Sequence, residues 1–325
     1  MKKIIFVTIL MLLILLLAGC TFFGGKQQVP DVNVHIGREG LTIRFLKDTP
    51  PKSVYEDTNF PLLVEIQNKG AADIEAGWLI IGYEQANVEI SGETVQPFRL
   101  LGRTSADQIG GQEIIDLVGH AKKLSSQMQR VDSTLSVTAC YAYTTDATTD
   151  VCIETDIYGL AKYQKSCKVE TKAMSGGQGA PVGVTKVEPK MIPHENRDKV
   201  IPEFTIEIQN LGSGQSLVPE MIDTACSSRS IKHEAFNIVR VEAKLYEYDL
   251  DCRPKIGDVI TENIPQGIAN AGYVKLKEKK GTVICSLPSG ISKARGTYLS
   301  PLRVHLDYGY MDTIAKQMEI KRPAS

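Results

Sequence analysis

Two hydrophobic patterns divide this chain. From Ile4 to Ala18 the residues are apolar except for Thr8, after a basic start at Lys2 and Lys3. Beyond about residue 30 the pattern becomes alternation. Val32, Val34 and Ile36 share one face, Gly37-Arg38-Glu39-Gly40 turns the chain, and Leu41, Ile43 and Phe45 alternate on the way back. Period-two alternation around a Gly-rich turn predicts a hairpin with one buried face. Similar strands of five to ten residues, punctuated by Gly, Pro and Asn, follow to the end. The segment from Gln112 to Arg130 fits two patterns. A helix would place Ile115, Val118 and Lys122 on one side, and a strand would align Ile115, Leu117, Gly119 and Ala121. Gly119 and the neighbouring pattern favour a strand followed by a loop.

The alternating text is written twice. Val64-Glu65-Ile66-Gln67-Asn68-Lys69-Gly70 returns, 142 residues on, as Ile206-Glu207-Ile208-Gln209-Asn210-Leu211-Gly212. Each is a strand entering an Asn-x-Gly turn, where Asn and Gly accept backbone angles that other residues resist. Leu135-Ser136-Val137 leading to Tyr141-Ala142-Tyr143 returns, 167 residues on, as Leu302-Arg303-Val304 leading to Tyr308-Gly309-Tyr310. Two landmarks in the same order indicate duplication, and the shifts differ by 25, so the second unit carries an insertion of that size. In each unit the Tyr-x-Tyr strand is expected to turn near Asp146 or its counterpart and return through Val151 or Met318 as a terminal hairpin.

The opening run has the layout of a secretory signal, and its 15 residues from Ile4 to Ala18 are short of the roughly 20 a spanning helix needs. It ends in Leu17-Ala18-Gly19-Cys20, which resembles the lipobox of prokaryotic lipoproteins. That resemblance implies cleavage after Gly19 and lipidation of Cys20. Acyl chains contribute roughly 0.8 kcal/mol per buried methylene, so two or more would hold the chain at a membrane surface. The expected organisation is a signal peptide over 1–19, a tether over 20–30, a first sandwich over 31–172, a linker over 173–181 and a second sandwich over 182–325. The Gly-rich linker contains Ser175-Gly176-Gly177, but no Gly-Lys-Ser/Thr follows, so it reads as a hinge and not as a phosphate loop.

Charge changes this picture little. Without residues 1–19 the chain has 35 basic and 38 acidic side chains. It therefore has neither the basic excess of a nucleic-acid binder nor an acidic tail. About 300 residues suffice for two cores. Cysteine usage is more informative. Apart from Cys20 there are six, an even set that an exported chain would oxidise. No Cys-x-x-Cys pair and no His at ligand spacing argues for zinc. If the first terminal hairpin turns near Asp146, Cys140 and Cys152 stand opposite one another. Cys252 and Cys285 would then clamp the excursion between them, and Cys167 with Cys226 would tie the two units. Six cysteines allow 15 connectivities, so others stay open.

Candidate chemistry is sparse. His194-Glu195 and His233-Glu234 begin like a zinc-protease motif, but Asp198 and Asn237 stand where the second His belongs. No Gly-x-Ser-x-Gly turn occurs. Asp249-x-Asp251 lacks the other oxygen ligands of a calcium loop. Trp78 and the pairs Tyr141/Tyr143, Tyr246/Tyr248 and Tyr308/Tyr310 suggest a carbohydrate platform, although a Tyr-x-Tyr face on a sandwich is more often core.

The strand pattern resembles the immunoglobulin-like modules of prokaryotic surface proteins related to cell adhesion. Gly40-Leu41, Pro50-Pro51, Cys140-Tyr141-x-Tyr143, Val151-Cys152-Ile153 and Gly179-Ala180-Pro181-Val182 resemble an uncharacterised archaeal-type surface-lipoprotein family. That resemblance implies an all-β fold of two tandem immunoglobulin-like antiparallel sandwiches at a cell surface, and it carries no activity. The expected function is a membrane-anchored, extracytoplasmic, non-enzymatic module for binding, adhesion or scaffolding, with a protein or cell-surface partner and no nucleic acid, cofactor or metal. A structural subunit of an envelope layer or filament is the alternative. A transport-associated solute-binding lipoprotein is a third reading, and it would need strand–helix alternation that the sequence lacks.

Overall fold

The computed structural model describes residues 33–160, 164–174, 177–226, 233–260 and 267–323. Asn33–Ser325 forms one compact unit. The apolar run, Cys20 and the tether lie outside the described residues. Among the described residues no helix is long and apolar enough to cross a membrane.

The fold is all-β. The first repeat contributes β1 (Leu41–Phe45), β2 (Ser53–Tyr55), β3 (Thr58–Asn68), β4 (Ile74–Tyr83), β5 (Val88–Ser91), β6 (Val95–Leu100), β7 (Gln112–Ala121) and β8 (Arg130–Ile153). The second contributes β9 (Lys172–Ala173), β10 (Val182–Pro193), β11 (Lys199–Asn210), β12 (Gln215–Leu217), β13 (Ile238–Leu245), β14 (Tyr248–Asp249), β15 (Asp251–Arg253), β16 (Gly272–Lys275), β17 (Lys280–Ser286), β18 (Ile291–Ser292) and β19 (Tyr298–Lys321). Each repeat has a sheet of its own, in the order β1-β3-β7-β5 and β15-β17-β11-β10-β9. A third sheet, β14-β13-β19-β8-β4-β6, draws strands from both. Pairing is antiparallel except where β2 runs parallel to the end of β19.

Period-two alternation sets the buried face of each strand. Phe60, Leu62, Val64 and Ile66 of β3 are buried, as are Phe204, Ile206 and Ile208 of β11. Burying one such side chain stabilises by roughly 1.5–3 kcal/mol before conformational entropy is charged. The ambiguous segment resolves as a strand, because Gln112–Ala121 pairs with β3 along its whole length and leaves Ile115, Leu117 and Ala121 buried.

Two expected hairpins do not form. Residues 33–40 make no strand, and β1 pairs with β3. The carbonyls of Val34 and Ile36 instead accept from the Arg103 guanidinium, at 3.1 and 2.7 Å. Val32 lies outside the described residues. There is also no turn at Asp146. β8 runs unbroken for 24 residues and pairs with β19 in one register, from Arg130↔Lys321 to Ile153↔Tyr298. The stretch after Tyr143 is rich in Thr and Asp, but its odd positions, Thr145 and Ala147, face the core.

This ribbon rules out two expected disulfides. Twelve residues of extended strand separate Cys140 from Cys152 by about 40 Å, whereas a bridge needs Cα atoms within about 7 Å. Cys140 bonds Cys226, with Cα atoms 5.7 Å apart, and Cys152 bonds Cys167, at 5.8 Å. Cys140–Cys152 and Cys167–Cys226 are therefore not pairs. Cys252 and Cys285 do bond, as direct partners on β15 and β17. The inter-repeat staple is thus Cys140–Cys226. Cys226 closes a short helix, α1 (Ile222–Cys226), within an excursion that splits the second-repeat counterpart of β4 into β12 and β13. This excursion is an insertion of the kind the unequal repeat shifts require.

The ribbon pairs Tyr141 with Tyr310 and Tyr143 with Tyr308, and its middle is Ala142↔Gly309. These two residues are related by the repeat shift of 167, so the middle of the ribbon is the centre of the internal duplication. Four fully buried phenols gather there, with ring centroids 5.7 to 6.3 Å apart. Their hydrogen bonds repeat as well. The hydroxyl of Tyr141 accepts from Leu41 N (3.3 Å), and that of Tyr308 accepts from Val182 N (3.4 Å). Tyr143 donates to Asn68 Oδ1 (3.2 Å), and Tyr310 donates to Asn210 Oδ1 (3.1 Å).

Each Asn also stitches its own turn. Asn68 Oδ1 accepts from Gly70 N, and its Nδ2 donates to the Ala72 and Leu100 carbonyls. Asn210 serves Gly212 N and Gly214 O in the same way. Neither Gly70 nor Gly212 has a positive φ. Gly70 is required for space, because a Cβ there would overlap the Tyr143 hydroxyl and lie 2.6 Å from Gly179 O.

The predicted hinge is packed. Gln178 and Ala180 are buried. Gly179 O accepts from Ala71 N of the first Asn-x-Gly turn (2.8 Å), and Pro181 O accepts from Leu211 N of the second (2.7 Å). Residues 177–181 form a wedge between the two turns, while Ser175 and Gly176 lie outside the described residues.

Burial pushes the four ribbon phenols upward, most strongly Tyr141 and Tyr308. The neutral phenol is the form that folds, so this stability is complete below the unfolded value of 10.0 and declines as pH rises above it. In an alkaline titration, these four phenolate signals at 295 nm are expected only together with loss of the near-ultraviolet circular dichroism. Four tyrosines ionising in the intact fold would contradict this placement.

Candidate functional site

The six tyrosines singled out in the sequence separate cleanly. Tyr141, Tyr143, Tyr308 and Tyr310 are core, whereas Tyr246 and Tyr248 are 61% and 40% exposed. The exposed pair lies at a tight hairpin, Tyr246 in its two-residue loop and Tyr248 at the start of β14, since Leu245 pairs with Tyr248 across Tyr246 and Glu247. Tyr246 adopts φ 56°, in the left-handed region, and its N–H donates to Pro301 O (2.9 Å). A bulky side chain at such an angle costs roughly 1 kcal/mol or more, and Gly or Asn would relieve it. Tyr246 is nevertheless mostly exposed, and it lines a groove.

The opposite wall comes from the start of β19 and the turn before it. Ser292 caps a one-turn 3-10 helix, Lys293–Arg295, by accepting from Ala294 N, and Gly296 (φ 67°) ends it. Arg295 is thereby aimed at the hairpin. Its Nη2 donates to the Tyr248 hydroxyl (3.3 Å), and its guanidinium lies 6.0 Å from the Tyr248 ring centre. Between the walls lies a groove of about 320 Å3 with Leu245, Ile291 and Pro301 among its lining. Leu299, 58% exposed, stands at its side. The Tyr248 oxygen accepts from Arg295, so its O–H is available to donate to a ligand.

Among the described residues Arg295 has no carboxylate partner. Nearby Glu154 is already occupied by Lys165 (2.7 Å), the Thr297 hydroxyl (2.9 Å) and Asp156 N (2.8 Å), and its pKa is lowered by Lys165 and these hydrogen bonds against the opposing effect of burial. Lys293, two residues before Arg295, lies 5.6 Å from the ring centre of exposed Tyr158. The groove is thus aromatic and cationic.

The other sequence candidates are engaged elsewhere. His194 Nδ1 accepts from Asn196 N (2.8 Å), and His233 packs beside Phe236. Asp249 pairs with Lys244, and Asp251 with Arg253 and Lys255, which hold its pKa down. Among the described residues no three His, Cys, Asp or Glu side chains gather as a metal would require. Asp307, the counterpart of Cys140 in the repeat, forms a close ion pair with Arg240, which also holds Glu220 at 2.9 Å. A larger cavity of about 570 Å3 includes His35, Asp146 and Gln178, but Asp146 is paired with His305 (2.8 Å). Trp78 is half-buried beside a shallow pocket with Phe98. Sequence reasoning missed Arg295 and Tyr298. They have no periodic signal, and Arg295 meets a tyrosine 47 positions away only through the fold.

No family model matches the chain. No curated protein matches it either. Among solved structures it is similar to a secreted serine protease, VesC, from Vibrio cholerae, with 10% identity and a TM-score of 0.20 over 83% of this chain and 50% of that one. The chain thus spans about half the length of that protein. It is also similar to the CupB6 tip adhesin from Pseudomonas aeruginosa, with 10% identity and a TM-score of 0.16 over 88% and 96% of the two chains. Likenesses this slight transfer neither topology nor activity, so the function is argued from the groove.

Proposed function

We propose that this chain is a lipid-anchored extracytoplasmic binding module that acts by recognition and not by turnover. Lipidated Cys20 would hold it to the outer side of the cell membrane, as in the surface lipoproteins its sequence resembles. Each repeat is read as an immunoglobulin-like sandwich with one sheet of its own and half of the shared sheet. That reading is supported by the matching order of β1-β3-β7 and β10-β11-β17. Cysteine staples and the phenol cluster stiffen the pair, which suits a scaffold that presents a surface.

The observation that carries the reading is Tyr246, exposed on a strained loop and lining one groove with Arg295, which has no carboxylate partner among the described residues. Rigid tyrosines give recognition surfaces a large contact area at low entropy cost. The test is an array of envelope polysaccharides and surface proteins probed with the disulfide-intact chain. Wild type is expected to retain at least one of them, and Tyr246→Ala/Tyr248→Ala is expected to lose it with stability unchanged within about 0.5 kcal/mol. Retention of every ligand by the double variant would remove the groove as the site.

A further inference from the structure

The groove also specifies a class of ligand, given the binding reading above. We propose that it takes a carboxylate-bearing sugar, with the pyranose ring against Tyr246 and Tyr248 and the carboxylate on Arg295. Three observations carry this. First, the walls are phenol rings over an apolar floor of Leu245, Ile291 and Pro301, which suits the C–H face of a sugar ring. Second, the Tyr248 hydroxyl accepts from Arg295 and so keeps its own O–H as a donor, which a ligand edged with hydroxyl oxygens would satisfy. Third, the charge is one-sided. Arg295 is the charged side chain of the lining and has no carboxylate partner among the described residues, and Glu154 is taken by Lys165 and Thr297.

A guanidinium fork already braced by the Tyr248 phenol is preorganised for a planar carboxylate, which it can hold through two parallel N–H···O bonds. Phosphate sites instead favour rows of backbone N–H groups or a helix N-terminus, and here the floor is side-chain carbon. A membrane surface would call for a cluster of four or more basic residues, and the groove has a single arginine.

The test uses titration calorimetry at low ionic strength with the disulfide-intact chain. The probes are tetragalacturonate, a glucuronate-containing hyaluronan tetrasaccharide, the methyl ester of tetragalacturonate and sulfated dextran. At least one acidic oligosaccharide is expected to bind, and the ester to bind about tenfold or more weakly than its acid. Arg295→Gln should erase the acid–ester difference. Tyr248→Ala should weaken both. Equal affinity for acid and ester, lost in Tyr248→Ala, would overturn the carboxylate while leaving the binding groove standing. Tightest binding of sulfated dextran would make Arg295 a general anion contact and overturn the sugar acid. If no probe binds, the inference falls, and the array separately decides the groove.

Discussion

Replacing Asn68 by Ala is expected to lower unfolding free energy by about 3–5 kcal/mol, a large share of the stability a typical domain possesses. The side chain is completely buried and joins four groups: Gly70 N, the Tyr143 hydroxyl and the Ala72 and Leu100 carbonyls. Alanine leaves all four without that partner, where an unsatisfied buried group costs about 1–3 kcal/mol and partial relaxation offsets some of the total. Tyr143→Phe removes a single bond from the same network and should cost only about 1 kcal/mol. Asn210→Ala tests whether the duplication is energetic as well as geometric, since Asn210 holds Gly212, Gly214 and Tyr310 in the same way. Urea unfolding of the three variants, with slopes compared, measures these differences. A loss below about 1 kcal/mol in Asn68→Ala would mean that the network does not stabilise the ribbon.

Removing the inter-repeat staple should have a comparable effect by a different route. Cys140→Ser/Cys226→Ser opens a loop with a sequence separation of 86 residues. In the chain-entropy model a loop of that size is worth about 4.6 kcal/mol at most, and measured losses for native bridges run at about 2–5 kcal/mol. Because the bridge joins the middle of β8 to α1, its loss frees the excursion between β12 and β13 before the ribbon itself. Amide exchange should therefore accelerate first around Ile222–Cys226, with β8 and β19 protected until global unfolding. The separate Cys152→Ser/Cys167→Ser variant opens a loop with a separation of 15 and should lose about 3 kcal/mol. Equal exchange in wild type and the Cys140→Ser/Cys226→Ser variant around α1 would show that packing alone holds the excursion.

These two sites also show what the two levels of description contribute. The sequence by itself determined the all-β class, because alternation at Phe60–Ile66 and Phe204–Ile208 admits only strands with one buried face. It determined the duplication as well. The Asn-x-Gly and Tyr-x-Tyr phrases recur because one buried network is built twice, and each copy needs the same side chains. An even cysteine set announced disulfides for a similarly local reason.

Partners were another matter. Period two says which face a residue occupies, but not where a strand stops or which strand lies beside it. Thr144 to Asp150 has the composition of a turn and the burial of a strand. Only pairing with β19 supplied enough hydrogen bonds to keep it extended, and that continuity moved Cys140 away from Cys152. The same limit applies to the tyrosines. Tyr141-x-Tyr143 and Tyr246-x-Tyr248 are alike as text, yet one pair lies between sheets and the other is exposed at a hairpin whose loop strains Tyr246. Arg295 joins the second pair from across the fold. Tertiary structure alone decided these contacts, because they depend on distances between segments far apart in sequence, which no local pattern encodes.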